Sequence, residues 1–378
     1  MVTAPATTPQ KKNRRRWRPP SLRKAFHPDQ LDGINQQVAD IAADLERRIM
    51  AYAAEQGINP KSKRPAVTSY LRKLVARAIG AMTKKGKQVE EDARTLGRRT
   101  AAEHLATLDP KKVAKAAANA PKMPRNPDLG TTVRTPKGLV ESLQQVAPQA
   151  LGSGMRLYDD VVRAVAATPP ESDAARRRIA QKTIDDFAKR GITGITDKAG
   201  KRWNIVTYVE MATRTAAANL AMEAHIKEVL AAGLDVVRVT VMPNCHPWCQ
   251  PYQGRLLSIT GTTTGEYDGE KVVASLPEAI ANGFRHPNCR HSVQVHVPGT
   301  DAIDPDTIDP GDYAATQELR RLERQVRAAR RAEASAVSPQ ARSAAGRDVR
   351  RWQAAIREHV AETGVPRNRW REQEGNAR

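Results

Sequence analysis

Aromatic residues make up only 4% of the 378-residue chain, and three of them are Phe. A large aromatic-rich core is therefore excluded. Long apolar runs are missing as well: no stretch of ~18 apolar residues occurs, as a membrane-crossing helix would need. The basic N-terminus is not followed by an apolar segment, so a secretory signal is not expected. There are three cysteines, too few and of the wrong parity for a disulfide scaffold, which favours a reducing compartment. Hydrophobic residues as a whole stand at 40%, below the usual globular share of ~45–50%. Alanine and arginine are abundant, which favours helices over sheets. The expected fold class is α+β and predominantly α-helical.

Positive charge is in excess. Lys and Arg number 62 and Asp and Glu 41, a net charge of +21. Residues 1–30 hold eight bases and one acid, and residues 319–378 hold fifteen arginines and seven acids. The two ends thus read as electrostatic arms for a polyanion, with nucleic acid first among them. The candidate contacts are Lys11, Lys12, Arg14, Arg15, Arg16 and Arg18 at one end. At the other they are Arg320, Arg321, Arg324, Arg327, Arg330, Arg331, Arg350 and Arg351. Every base from Arg320 onward is arginine, whose planar fork suits phosphate and carboxylate. A solubilising tail and a solvated helix pair are the plainer readings of these segments. No module for reading base edges is visible, so non-specific contact with the phosphate backbone is expected.

The periodicity divides the chain into successive regions. Residues 1–27 form a basic Pro-rich tail, expected to be disordered on its own. Over 28–120, Leu31, Ile34, Val38, Ile41, Leu45 and Ile49 mark one helical stripe, and a second helical stretch begins near Thr68. Residues 121–137 read as a linker and 138–190 as helical, interrupted at Pro169–Pro170. From 191 to 299 the texture changes. A turn at Asp-Lys-Ala-Gly precedes a long helix over roughly 205–232, capped by Gly233. Short strands follow at Val236–Val241, Leu256–Ile259, Val272–Val273 and Val293–Val297, with one short helix near 275–282. This module is expected to be small and mostly antiparallel. Gly261-Thr-Thr-Thr-Gly265 reads as a hairpin turn. An acidic hinge spans 300–312, and an Arg-rich helical pair, broken at Pro339, spans 313–378.

One constellation offers chemistry. Cys245, Cys249, His286, Cys289 and His291 fall within a short stretch on either side of the strands, and four of these five would close a tetrahedral zinc site. The same residues also suit metal-free packing of buried thiols or, less readily, a catalytic metal. A zinc-dependent nuclease or toxin-like hydrolase using His286, Cys289 and His291 is the enzymatic alternative, although no carboxylate stands in a recognisable motif with them. A DNA-compacting protein of the host nucleoid is a third reading. Glu210 and Arg214, four apart on the predicted long helix, suit a structural ion pair.

These residues also carry a resemblance. Gly191 through Trp203, with Asp197 and Gly200, then Tyr208 through Thr215, with Arg214, resemble the phage minor capsid protein 2 family, related to the Mu-type (MuF-like) head morphogenesis proteins of tailed phages. Cys249 through Ser258, with Gly254, and Gly283 through Ser292, with Pro287, Asn288 and Arg290, resemble it too. The likeness covers roughly 155–375; residues before it share only a helical, basic character. It implies a virion protein, inside the head in few copies, associated with the portal and with capsid or scaffold proteins. It implies a role in head assembly or in DNA passage into and out of the head, and no established catalysis. Many relatives differ in the number of cysteines in the first cluster, so the resemblance does not imply zinc.

Overall fold

The computed structural model describes residues 28–124, 138–167, 172–196, 200, 202–299, 308–309 and 311–373. The N-terminal basic residues and Asp197 lie outside them.

Helix α1 (Asp32–Ile58) buries its apolar stripe against α2 (Arg64–Thr107), a continuous 44-residue helix. Pro65 sits in the first turn of α2, where its missing N–H costs nothing. Helix α3 (Pro110–Asn119) follows, capped by the Asp109 side chain on the Lys111 N–H. Helices α4 (Leu139–Gln144), α5 (Val146–Ala167) and α6 (Asp173–Arg190) complete the helical layer, and Ser172 caps α6. A two-stranded hairpin, β1 (Thr193–Thr196) with β2 (Arg202–Asn204), leads into α7 (Ile205–Ala231). Trp203 and Tyr208 pack on the helical core.

Helix α7 joins the two halves of the molecule. Its first part places Ile205, Val209, Ala212, Ala217 and Ala221 in the helical core. Its last part places Met222, Ile226 and Val229 in a second core beneath the sheet. The run of alanines lets α2 approach closely. A Cβ built on Gly97 would stand 2.0 Å from the Ala221 carbonyl oxygen.

The sheet comprises β3 (Val236–Val239), β4 (Leu256–Ser258), β5 (Glu266–Tyr267), β6 (Glu270–Ser275) and β7 (Val293–Val295) in the order β5-β6-β4-β3-β7. The all-buried β3 occupies the interior: Val236, Val237 and Val239 are apolar, and buried Arg238 is satisfied by Glu270. It pairs antiparallel with β4 and β7, and β5 pairs antiparallel with β6. The β4–β6 pair is parallel. The expected hairpin at Gly261–Gly265 is therefore not one. That segment is a loop gathered on the buried Asp235 carboxylate, which accepts from Ser258, Thr260 and the Thr263 N–H. The tight hairpin lies at Asp268-Gly269, both at positive φ, a pair suited to a two-residue turn. Helix α8 (Leu276–Ala281) opens with a Ser275/Glu278 capping box.

Helices α9 (Tyr313–Ser335) and α10 (Pro339–Thr363) form a hairpin with its own apolar seam. Pro339 opens α10 behind the Ser338 cap rather than breaking α9. The hairpin folds back on α1 and α6. Among the described residues no helix is long and apolar enough to cross a membrane.

Candidate functional site: a cysteine–histidine knuckle

The site is built from two turns with the same sequence pattern. His246-Pro247-Trp248-Cys249 follows β3, and His286-Pro287-Asn288-Cys289 precedes β7. In each turn the Cys N–H donates to the His carbonyl, at 2.9 Å in both. The turns face each other. Their thiols lie 3.7 Å apart, and their His rings meet at a 40° tilt with centroids 4.4 Å apart. This repeated His-Pro-x-Cys is the signal that a reading by cysteine spacing alone overlooks.

Helix α7 holds the second turn. Thr215 Oγ1 accepts from the Asn288 N–H at 3.1 Å, with Asn288 in the left-handed region. Buried Arg285 donates to Asn219 Oδ1 at 2.6 Å and to the His291 carbonyl at 3.2 Å. The Gly254 turn holds the other side. Its N–H donates to the Val239 carbonyl, and its carbonyl accepts from Arg238 at 2.9 Å.

Cys249, Cys289 and His291 form one buried cluster, their donor atoms all within 4.8 Å of one another. His291 Nδ1 is 3.4 Å from the Cys289 sulfur. Gln253 Oε1 accepts from the Met242 N–H at 2.7 Å and lies 3.2 Å from His291 Nε2. An amide oxygen can only accept, so His291 carries a proton on Nε2, and Nδ1 is the nitrogen turned toward Cys289. The Cys249 thiol donates to Cys289. That bond, with His291 and Arg285 nearby, holds Cys289 well below the usual thiol range and pushes Cys249 up. Burial, then the Cys289 charge, pushes the Cys245 thiol up to about 12.

Of the five metal-ligand candidates, the structure gathers three. Cys245 stands outside the cluster and donates to the His246 carbonyl at 3.3 Å. His286 is half-buried, with Nδ1 donating to the Pro287 carbonyl at 2.9 Å. Among the described residues His286 is not gathered with Cys289 and His291, and no carboxylate joins the cluster. Outside it, His246, His286, Tyr313 and Trp248 form an aromatic patch in which Trp248 is 58% exposed.

The C-terminal arginines divide into two sets. Arg321, Arg324, Arg350 and Arg351 are exposed. Arg331 is buried and turned inward, donating to the Ala188 carbonyl at 2.9 Å and pairing with buried Glu46 at 3.6 Å. It neutralises that acid and caps the last turn of α6. Arg327 donates to the Arg371 carbonyl, and Arg320 meets Glu323 at 4.0 Å. Of the eight C-terminal candidate contacts, Arg331 is thus the buried one, while Arg320, Arg327 and Arg330 are half-buried. Arg214 pairs with Glu210 at 3.4 Å as expected, and also with Asp32 at 3.6 Å. Arg290 reaches Asp32 too, and Arg371 reaches Glu210 at 2.7 Å. Gly200 is exposed with open space around it.

A further basic face escapes any count made over the chain ends. Residues 64–89 of α2 hold Arg64, Arg72, Lys73, Arg77, Lys84, Lys85 and Lys87, all exposed, and no acid. At ~1.5 Å per residue this acid-free stretch is about 39 Å long.

The geometry defines an α+β, predominantly helical protein with basic outer faces and a buried thiol–imidazole knuckle. The model of the family described as phage minor capsid protein 2 matches residues 26–361, and the chain belongs to that family. The match includes α1 and α2, beyond the region that carried the resemblance. No curated protein and no solved structure matches the chain. Membership makes it a structural protein of the phage head, located in the virion.

Proposed function

We propose that the protein sits inside the phage head at the portal, where it contacts packaged DNA without reading its sequence and serves head assembly or DNA passage. The acid-free face of α2 is the observation that carries this reading. Seven exposed bases over about 39 Å follow a duplex that presents one phosphate charge per ~1.7 Å of axis. The outward Arg321, Arg324, Arg350 and Arg351 extend the same chemistry to the α9–α10 hairpin. Residues 1–27 add bases of their own.

Duplex DNA binding over a series of salt concentrations tests the DNA contact. Replacing Arg72, Lys73, Arg77, Lys84, Lys85 and Lys87 by Ala is expected to flatten the log–log salt slope by about 0.9 for each phosphate no longer neutralised. Affinity should fall equally for unrelated sequences. An unchanged slope refutes the proposed DNA face. For the portal, mass spectrometry of disrupted, DNase-treated virions is expected to recover the chain at low stoichiometry with the portal. Recovery with the shell instead refutes portal association.

A further inference from the structure

We propose that Cys249, Cys289 and His291, completed by Cys245, hold a structural zinc ion that pins the two His-Pro-x-Cys turns together. The proposal is independent of DNA and portal binding.

The spacing fits first. Zinc bonds of ~2.3 Å to sulfur and ~2.0–2.1 Å to nitrogen, arranged tetrahedrally, set a sulfur–sulfur edge of about 3.8 Å and a sulfur–nitrogen edge of about 3.6 Å. Two of the three edges are 3.7 Å and 3.4 Å, and the third is within 4.8 Å. The donor set fits next, since two thiolates and an imidazole form a soft site that selects zinc over magnesium or calcium.

The surroundings also match a metal ligand's needs. His291 turns Nδ1 to the cluster because Gln253 holds the Nε2 N–H on the other side of the ring, and Gln253 is itself anchored by the Met242 N–H. A ligand imidazole is normally oriented by such an outer partner. The Arg285 guanidinium is buried within electrostatic reach of both thiols. A dication with three thiolates and one neutral imidazole keeps one net negative charge, which that cation balances. Cys245 is buried beside the cluster and feels the Cys289 charge. Its thiol donates to the carbonyl of its own neighbour at 3.3 Å, a bond given up when it takes the fourth position.

The experiment uses the full chain, purified under reducing conditions. Elemental analysis is expected to find about one zinc per chain, as a closed tetrahedral site requires. Cobalt(II) exchanged into the same protein is expected to give tetrahedral d–d bands and a strong sulfur-to-cobalt charge-transfer band. Cys245→Ser is expected to retain the metal and to lose about a third of that band, as three thiolates become two. An undiminished band overturns the assignment of Cys245. Gln253→Ala, which leaves every ligand in place, is expected to weaken zinc binding about 10–100-fold. The proposal as a whole is overturned if the wild-type chain, helical by far-UV circular dichroism and dialysed against zinc, retains none. It is overturned equally if its thiols react with a disulfide reagent at the same rate with and without chelator.

Discussion

Replacing Gly97 by Ala tests whether the α2–α7 contact sets the spacing of the helical body. Gly97 lies in the interior of α2, where alanine would gain about 1 kcal/mol in helix propensity. Sterics oppose the gain. The added Cβ would stand 2.0 Å from the Ala221 oxygen, 2.9 Å from the Ala221 carbonyl carbon and 3.0 Å from its Cα. These are backbone atoms in the middle of α7, so no side-chain rotation relieves the clash, and the helices must separate. Overpacking of this kind costs about 1–3 kcal/mol, with the rigid partner favouring the upper end. A net loss of about 1–2 kcal/mol is expected after the propensity gain is subtracted. Gly80 provides the internal control. It lies on the same helix, exposed, with nothing within 4 Å of a built Cβ. Gly80→Ala should therefore stabilise by about 0.5–1 kcal/mol. Urea unfolding followed by far-UV circular dichroism compares the two. A Gly97→Ala protein as stable as wild type, or more so, refutes the reasoning.

The remaining predictions concern buried charge and pH. Arg331→Met should cost about 3–5 kcal/mol, because it leaves Glu46 buried without its cation and the end of α6 uncapped. Adding Glu46→Gln to that variant should recover part of the loss in the same unfolding assay. Burial, then the neighbouring His104, lowers His225 to about 4; burial, then the Arg238 charge, lowers His296 to about 4. The unfolded imidazoles titrate near 6.5, so between pH 6.5 and 4 the unfolded chain binds more protons. Stability is therefore complete above pH 6.5 and is lost as pH falls toward 4, by on the order of 3 kcal/mol for each residue. Unfolding measured across this window should show the decline, and His225→Gln should make it shallower.

Much of the fold could be read from the chain because local signals agreed with tertiary packing. The stripe from Leu31 to Ile49 became α1, and the alanine-rich run after Trp203 became α7, whose two ends serve two cores. Features set by distant partners were less legible. Arg331 looks like the other arginines of α9 in sequence, and partners far away in the chain, Glu46 and the Ala188 carbonyl, draw it inward. The parallel β4–β6 pairing likewise depends on where a long loop returns, which strand composition does not encode. The basic face of α2 was hidden by averaging, since acids elsewhere in the central region offset its bases. In the knuckle, residue types pointed to the correct neighbourhood. The gathering of Cys249, Cys289 and His291 came from the paired turns and from Gln253.

Asp32 near the start of the described fold and Arg371 near its end belong to one ionic chain, through Arg214 and Glu210. The described fold is thereby clasped head to tail. A permuted chain, with a short bridge joining 373 to 28, would keep the clasp and move the new ends to any chosen loop.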